Sequence, residues 1–208
     1  MAVVECMRDP WRKPSYFERY FATPDPWHYE TGADRTRLLL AASMLRSAKQ
    51  DKFQNVLEIG CAEGVFTEML APSCESLVAV DFAPTALLRA SQRLSHANVR
   101  FERFDLRRDP IHGSFDLITV TDVLSYIFRP LELKKIRQKL VNGLEPGGYL
   151  LLVDPRQDKL FETASWGRLL LRGGKNIRDF IGLHASLHLV FADSSETHVF
   201  ALFRKESE

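Results

Sequence analysis

Apolar positions along the chain change period repeatedly, and the changes mark out alternating strands and helices. Val56-Leu57-Glu58-Ile59 reads as a strand. Gly60-Cys61-Ala62-Glu63-Gly64 then turns the chain before Val65–Leu70, where Phe66 and Leu70 share one helical face. Ser76–Asp81 reads as a second, buried strand, and Val99–Leu106 alternates with period two as a third. Ser114–Val120 is nearly continuous in apolar residues, as a central parallel strand requires. Helical spacing predicts a helix from an Asp34 N-cap to about Lys49, burying Leu38, Leu39, Ala42 and Leu45. A second runs Pro84–Leu94 with Leu87, Leu88 and Leu94 inward. A third covers Pro130–Leu144, with Leu133, Ile136, Leu140 and Leu144 on one side. Glu145-Pro146-Gly147-Gly148 stops it, and Tyr149–Val153 is a fifth strand.

The two ends of the chain read differently. Residues 156–182 form helical pieces broken by Gly167, Gly173-Gly174 and Gly182. His184–Ala192 and Thr197–Phe203 follow as a hairpin joined by Asp193-Ser194-Ser195-Glu196. The prediction is an α/β fold: a mixed sheet with helices on both faces, closed by an antiparallel C-terminal pair. Residues 1–33 are set apart from a domain spanning 34–208, because four prolines interrupt an aromatic-rich stretch containing Trp27 and Tyr29. Such a segment is too apolar for a free tail. Two readings stay open: a strap sealing the core, or a lid over a ligand with Trp27 and Tyr29 as walls.

Composition narrows the function classes. At 208 residues, one domain with a substantial core is expected. A net charge of +1 gives no electrostatic reason to expect nucleic acid or a membrane surface as partner. No apolar run approaches membrane-spanning length, and the N-terminus lacks a basic-then-apolar leader pattern. Cys6, Cys61 and Cys74 are odd in number and lack metal-ligand spacing, which suits a reducing cytoplasm. The expectation is a cytoplasmic enzyme of small molecules, with no metal; its oligomeric state stays open.

The chemistry concentrates where predicted strands end. Gly60 and Gly64 let backbone approach a ligand closely, though small-residue turns also close strand–helix corners for packing. The spacing is not the G-x-G-x-x-G of dinucleotide sites. Asp81 lies 21 residues past Gly60, the distance at which an acidic residue reaches ribose hydroxyls in this architecture. The competing role, capping the next helix, falls better to Ala83, because Pro84 occupies N1. Asp105 ends the third strand, and Thr121-Asp122-Val123-Leu124-Ser125-Tyr126 follows the fourth, at the edge where open α/β sheets bind ligands. Arg35 and Arg37 sit in a first helical turn, where the dipole disfavours a cation, so one of them is a candidate to meet an anion. His184 and His188 have a metal-pair spacing without a third ligand, and read better as surface side chains.

Glu58-x-Gly60-x-Ala62-x-Gly64 resembles motif I of the class I S-adenosylmethionine (SAM)-dependent methyltransferases, E/D-x-G-x-G-x-G, with Ala62 replacing the middle Gly. Asp81, Asp105, Phe115–Val120, Pro146-Gly147-Gly148 and the terminal hairpin extend the likeness over roughly residues 34–204. Asp25-Pro26-Trp27-His28-Tyr29-Glu30-Thr31 is similar to the D-P-W-x-x-x-T opening of the nodulation protein S (NodS) group and related sugar methyltransferases. Thr121–Ile127 resembles that group's S-E-V-L-Y-Y-L segment, with Asp for Glu and Ser for one Tyr.

The resemblance implies SAM as cofactor. Phe82 and Leu106, beside the two carboxylates, join its binding set, and Asp105 with a neighbouring N–H meets the adenine. Carbonyls around Gly60 and Thr121 meet the ammonium of its methionine end, and Arg37 or Arg35 its carboxylate. Asp122 is the implied general base and Tyr126 its orienting partner. The expected reaction moves a methyl group to an amino, or hydroxyl, group of a small polar acceptor such as a sugar. O-methylation of a phenol and a non-catalytic SAM-binding subunit are the alternatives.

Overall fold

The structure is a computed structural model and describes residues 14–127, 129–156 and 173–207. In chain order the elements are α1 (Pro14–Tyr20), α2 (Gly32–Ala48), β1 (Phe53–Ile59), α3 (Val65–Leu70), β2 (Cys74–Asp81), α4 (Pro84–Arg93), β3 (Val99–Arg103) and β4 (Phe115–Thr121). A 3₁₀ turn (Leu124–Tyr126) leads to α5 (Pro130–Gly143), β5 (Leu144–Pro155), α6 (Gly174–Gly182), β6 (Leu187–Ser194) and β7 (His198–Lys205).

One seven-stranded sheet runs β3-β2-β1-β4-β5-β7-β6. The first five strands pair in parallel, and β7 lies antiparallel between β5 and β6. The order reverses between β1 and β4, so a crevice opens at their carboxyl ends. Alternation along β4 feeds two cores: Ile118 and Val120 pack with Leu133, Ile136 and Leu140 of α5, and Leu117 packs with Leu38 and Leu45 of α2 on the other face. A smaller third cluster joins Phe17 and Phe21 to Ala83 and Ala86, with Trp27, Phe82 and Tyr126 against it.

Several boundaries move from their expected places. Asp34 lies in the first turn of α2, not at its cap, and Leu39 is exposed while Arg37 is buried. Leu88 is also exposed; α4 buries Ala86 and Ala90, because it lies close against the Gly-rich turn. The residues Glu145–Gly148 do not stop α5 before a later strand. Helix α5 ends at Gly143, and they form an irregularity within β5, where Gly147 supplies φ +76°. Strand β3 ends at Arg103, leaving Asp105 in the following loop. Both hairpin strands start later than expected, at Leu187 and His198. Of the expected helical pieces in 156–182, α6 is present, and residues 157–172 lie outside the described residues.

Candidate functional site

A cavity of about 740 Å³, counted to its open mouth, sits over the β1/β4 reversal. Gly60, Ala62, Asp81, Phe82, Asp105 and Leu106 line one end. Thr121, Asp122, Val123 and Tyr126 line the other, and Phe17, Phe21, Trp27 and Tyr29 form an aromatic wall. The structure therefore brings together eleven of the fourteen residues singled out from the sequence; Arg37, Glu58 and Gly64 do not reach the cavity.

At the first end, Asp81 closes β2 and ties down the turn opposite. Its Oδ2 accepts from the Ala62 N–H (3.0 Å) and its Oδ1 from the Ala83 N–H (2.9 Å). Burial pushes its pKa up to about 6 against these backbone hydrogen bonds. Each carboxylate oxygen keeps acceptor capacity for a hydroxyl donor. Ala62 holds φ +47°, the left-handed conformation that a Gly adopts at less cost. A Cβ on Gly60 would come within 2.3 Å of the Val123 side chain, so the wall there has to be bare backbone.

Gly64 holds φ +82°, and a Cβ there would meet Ala90 at 3.1 Å, so its bareness lets α4 pack close to the turn. Glu58 is fully buried beneath the turn, where burial pushes its pKa up to about 8, with Thr67 opposing. It is a neutral-leaning buried acid and does not line the cavity.

The second end is assembled from four distant parts of the chain. Asp122 follows β4 at φ +57° and receives the Tyr29 hydroxyl on Oδ2 at 2.9 Å. Arg37 Nη2 stands 2.9 Å from the same oxygen, and His198 Nε2 lies 3.2 Å from Oδ1. Burial works to raise the Asp122 pKa, but His198, Arg37 and Tyr29 outweigh it and hold the carboxylate below its ordinary range. Arg37 thus meets an anion, as its placement implied, but the anion is the protein's own Asp122. Tyr126 packs edge-on against Phe17 (5.1 Å, 86°) with its phenol pushed up to about 12, chiefly by burial. It lines the cavity, and its phenol stays protonated near neutral pH.

The N-terminal segment is clasped to this frame. Asp25 folds its own loop by accepting from the Tyr29 N–H (2.7 Å) and the Glu30 N–H (3.2 Å). The Asp25 N–H donates to Glu63 in the Gly-rich turn (2.7 Å), and Glu63 also pairs with Arg89 of α4. Trp27 stacks on Tyr29 at 6.2 Å and 17°. Sequence reasoning missed Glu63, His198 and the cavity-lining Phe104 and Arg107; none carries a local pattern that sets it apart. His184 and His188 stay separate, His188 facing Glu206, and among the described residues no group of three His, Cys, Asp or Glu is placed to hold a metal.

The sheet order, the antiparallel terminal hairpin and a cavity with a carboxylate at the β2 edge define a class I SAM-dependent methyltransferase fold. A family model for nodulation protein S matches residues 9–180, and the chain belongs to the NodS family. Nodulation protein S of Bradyrhizobium diazoefficiens is 36% identical over 68% of this chain and 68% of its own length. That of Rhizobium tropici is 35% identical over 66% of this chain and 58% of its own, so the alignment leaves two fifths of that relative unmatched. The crystal structure of the N-methyltransferase NodS from Bradyrhizobium japonicum WM9, in complex with S-adenosyl-L-homocysteine, superposes with a TM-score of 0.78. It is 29% identical and covers 92% of this chain and 97% of that one.

Proposed function

We propose that this chain is a SAM-dependent methyltransferase acting on the amino group of a small polar acceptor, a sugar or a sugar-containing metabolite. The observation that carries the reading is the Asp81 carboxylate, which lines the same cavity as Gly60, Ala62 and Asp105, with acceptor capacity left on both oxygens. That donor set fits SAM: vicinal ribose hydroxyls for Asp81, Phe82 and Leu106 as apolar faces for the adenine, and Asp105 toward its amino group. When bound, SAM supplies a methyl group on a positively charged sulfur, ready for in-line displacement. The protein's work is then to align the acceptor and exclude water. Trp27, Tyr29, Phe17 and Phe21 do the second, as an aromatic lid across the cavity.

Asp122 does the first. A carboxylate held ionised by His198, Arg37 and Tyr29 attracts an amine and accepts its N–H. This changes its expected role, because an anion stabilised so strongly does not keep a proton well. The amino preference rests on this carboxylate and on the N-methyltransferase of the B. japonicum relative. Calorimetry with S-adenosyl-L-homocysteine and with NAD, followed by label transfer from SAM to amino sugars and their hydroxy analogues, tests the proposal. Binding of S-adenosyl-L-homocysteine with transfer to the amino members supports it. Tighter binding of NAD would overturn the class, and transfer to the hydroxy analogues alone would overturn the amine.

A further inference from the structure

We propose that His198 takes up, through Asp122, the proton that the acceptor loses on methylation, and passes it to solvent along the C-terminal hairpin. The proposal rests on the amine reading above. An ammonium acceptor and SAM together carry two positive charges at the reacting centres. The methylated ammonium keeps one, S-adenosyl-L-homocysteine keeps none there, and one proton is left over. It comes off the nitrogen before its lone pair forms the new N–C bond, and the electron pair of the broken S–C bond stays on sulfur. Each turnover therefore needs a group beside the acceptor nitrogen that takes this proton.

Among the described residues the geometry offers a route. Asp122 lines the cavity, and its Oδ2 is engaged by Tyr29 and Arg37. Its Oδ1 is buried with no aligned hydrogen-bond donor, and His198 Nε2 is 3.2 Å away, within reach but off the line of a good bond. On the far side of the ring, Nδ1 lies 2.9 Å from Thr197 Oγ1, and Thr197 Oγ1 lies 3.4 Å from Ser195 Oγ. Thr197 and Ser195 are exposed, whereas His198 is buried. A chain of exchangeable groups thus runs from the cavity carboxylate through one imidazole to water. Imidazole suits the middle position because it takes a proton on one nitrogen while releasing one from the other.

Asp122 faces His198 from the loop after β4; Arg37 of α2 and Tyr29 of the N-terminal segment hold the same carboxylate, and Asp34 pairs with Arg37. Asp154 of β5, buried and pushed well up by burial with Asp122 adding to it, is the neighbouring acid across the β5–β7 ladder. Asp122 is thus the ionised carboxylate that His198 touches, and His198 acts as a positioning residue through it.

The test is His198→Gln against the parent, with Thr197→Val as a milder change. With label transfer to an amino sugar, His198→Gln is expected to lower kcat by about 10²-fold and to flatten the acidic limb of the pH–rate profile. Affinity for S-adenosyl-L-homocysteine stays within about threefold. Thr197→Val keeps the limb and loses less. A second readout needs no acceptor: the imidazole nitrogen signals of His198, followed by NMR at one pH with S-adenosyl-L-homocysteine bound, are expected to move in Asp122→Asn relative to the parent. Unchanged signals overturn the pairing, and a His198→Gln enzyme that keeps the parent's acidic limb overturns the proton route. A parent that binds S-adenosyl-L-homocysteine and shows the pairing, but methylates only hydroxy analogues, overturns the amine reading on which the route rests.

Discussion

The two ends of the cavity are built in opposite ways. At the end formed by Gly60, Ala62, Asp81, Asp105 and Leu106, each residue closes a strand or sits in the loop just beyond one. Sheet pairing sets their positions: β1 and β2 are in register from Phe53↔Cys74 to Ile59↔Val80, which brings Asp81 beside the turn after Ile59. At the Asp122 end, Tyr29, Arg37, Asp122 and His198 come from a loop, a helix, a strand exit and the last strand. The β4–β5 and β5–β7 ladders carry Asp122 and His198, and charge and hydrogen bonds bring Tyr29 and Arg37 to them. The first end is a frame made for binding, and the second is a polar cluster that exists only once the whole chain has closed.

That contrast predicts separable losses. The largest is expected at the cluster: Asp122→Asn should lower turnover by roughly 10²–10⁴. Asn tolerates the left-handed backbone that Asp122 adopts, so the change is clean at the level of the fold. Circular dichroism and a methyl-transfer assay on the same sample check it, and unchanged turnover would remove Asp122 from the chemistry.

A smaller effect is expected from pH at the frame. Asp81 has its pKa raised to about 6, so its carboxylate is present above that value and is lost as the pH falls through it. Affinity for S-adenosyl-L-homocysteine should fall by up to about tenfold per pH unit below 6, and the dependence should be absent in Asp81→Asn. Stability moves the other way. A raised carboxyl pKa means the folded chain holds that proton more tightly than the unfolded one. The contribution of Asp81 to unliganded stability is therefore full below the model-peptide value of 3.8 and is lost as the pH rises through about 6. Melting curves of the parent and Asp81→Asn across that interval read the difference.

The smallest change sharpens the comparison within the frame. Ala62→Gly should stabilise the fold by about 0.5–1 kcal/mol, since it relieves a left-handed alanine. Its effect on cofactor affinity should stay within about twofold, because the N–H that reaches Asp81 remains.

The same contrast explains what could be read before the structure. The frame was legible because strand period, turn and carboxylate lie within one or two βα units. Register then needs no information from elsewhere. Two members of the motif lie off the cavity lining: Glu58 is buried under the turn, and Gly64 makes room for Ala90. The cluster was only half legible. Asp122 and Tyr29 stood in recognisable segments, yet nothing local joins them, and their sequence separation is 93 residues. His198 carried no signal at all, being one histidine at the start of an ordinary strand, while His184 and His188 drew attention by spacing alone. Leu39 and Leu88 failed for a related reason, because the faces of α2 and α4 are chosen by what they pack on, Arg37 and the Gly-rich turn included.

The most direct measurement is the calorimetric titration of S-adenosyl-L-homocysteine into the parent, Asp81→Ala and Asp122→Asn under one condition near pH 7.5. The account predicts that Asp81→Ala loses roughly 1.5–3 kcal/mol, the range of a hydrogen bond to a charged group. Asp122→Asn should bind within about threefold of the parent, less than 0.7 kcal/mol or so. Equal losses in the two variants, or a larger loss in Asp122→Asn, would contradict the division of the cavity into a binding frame and a chemical cluster.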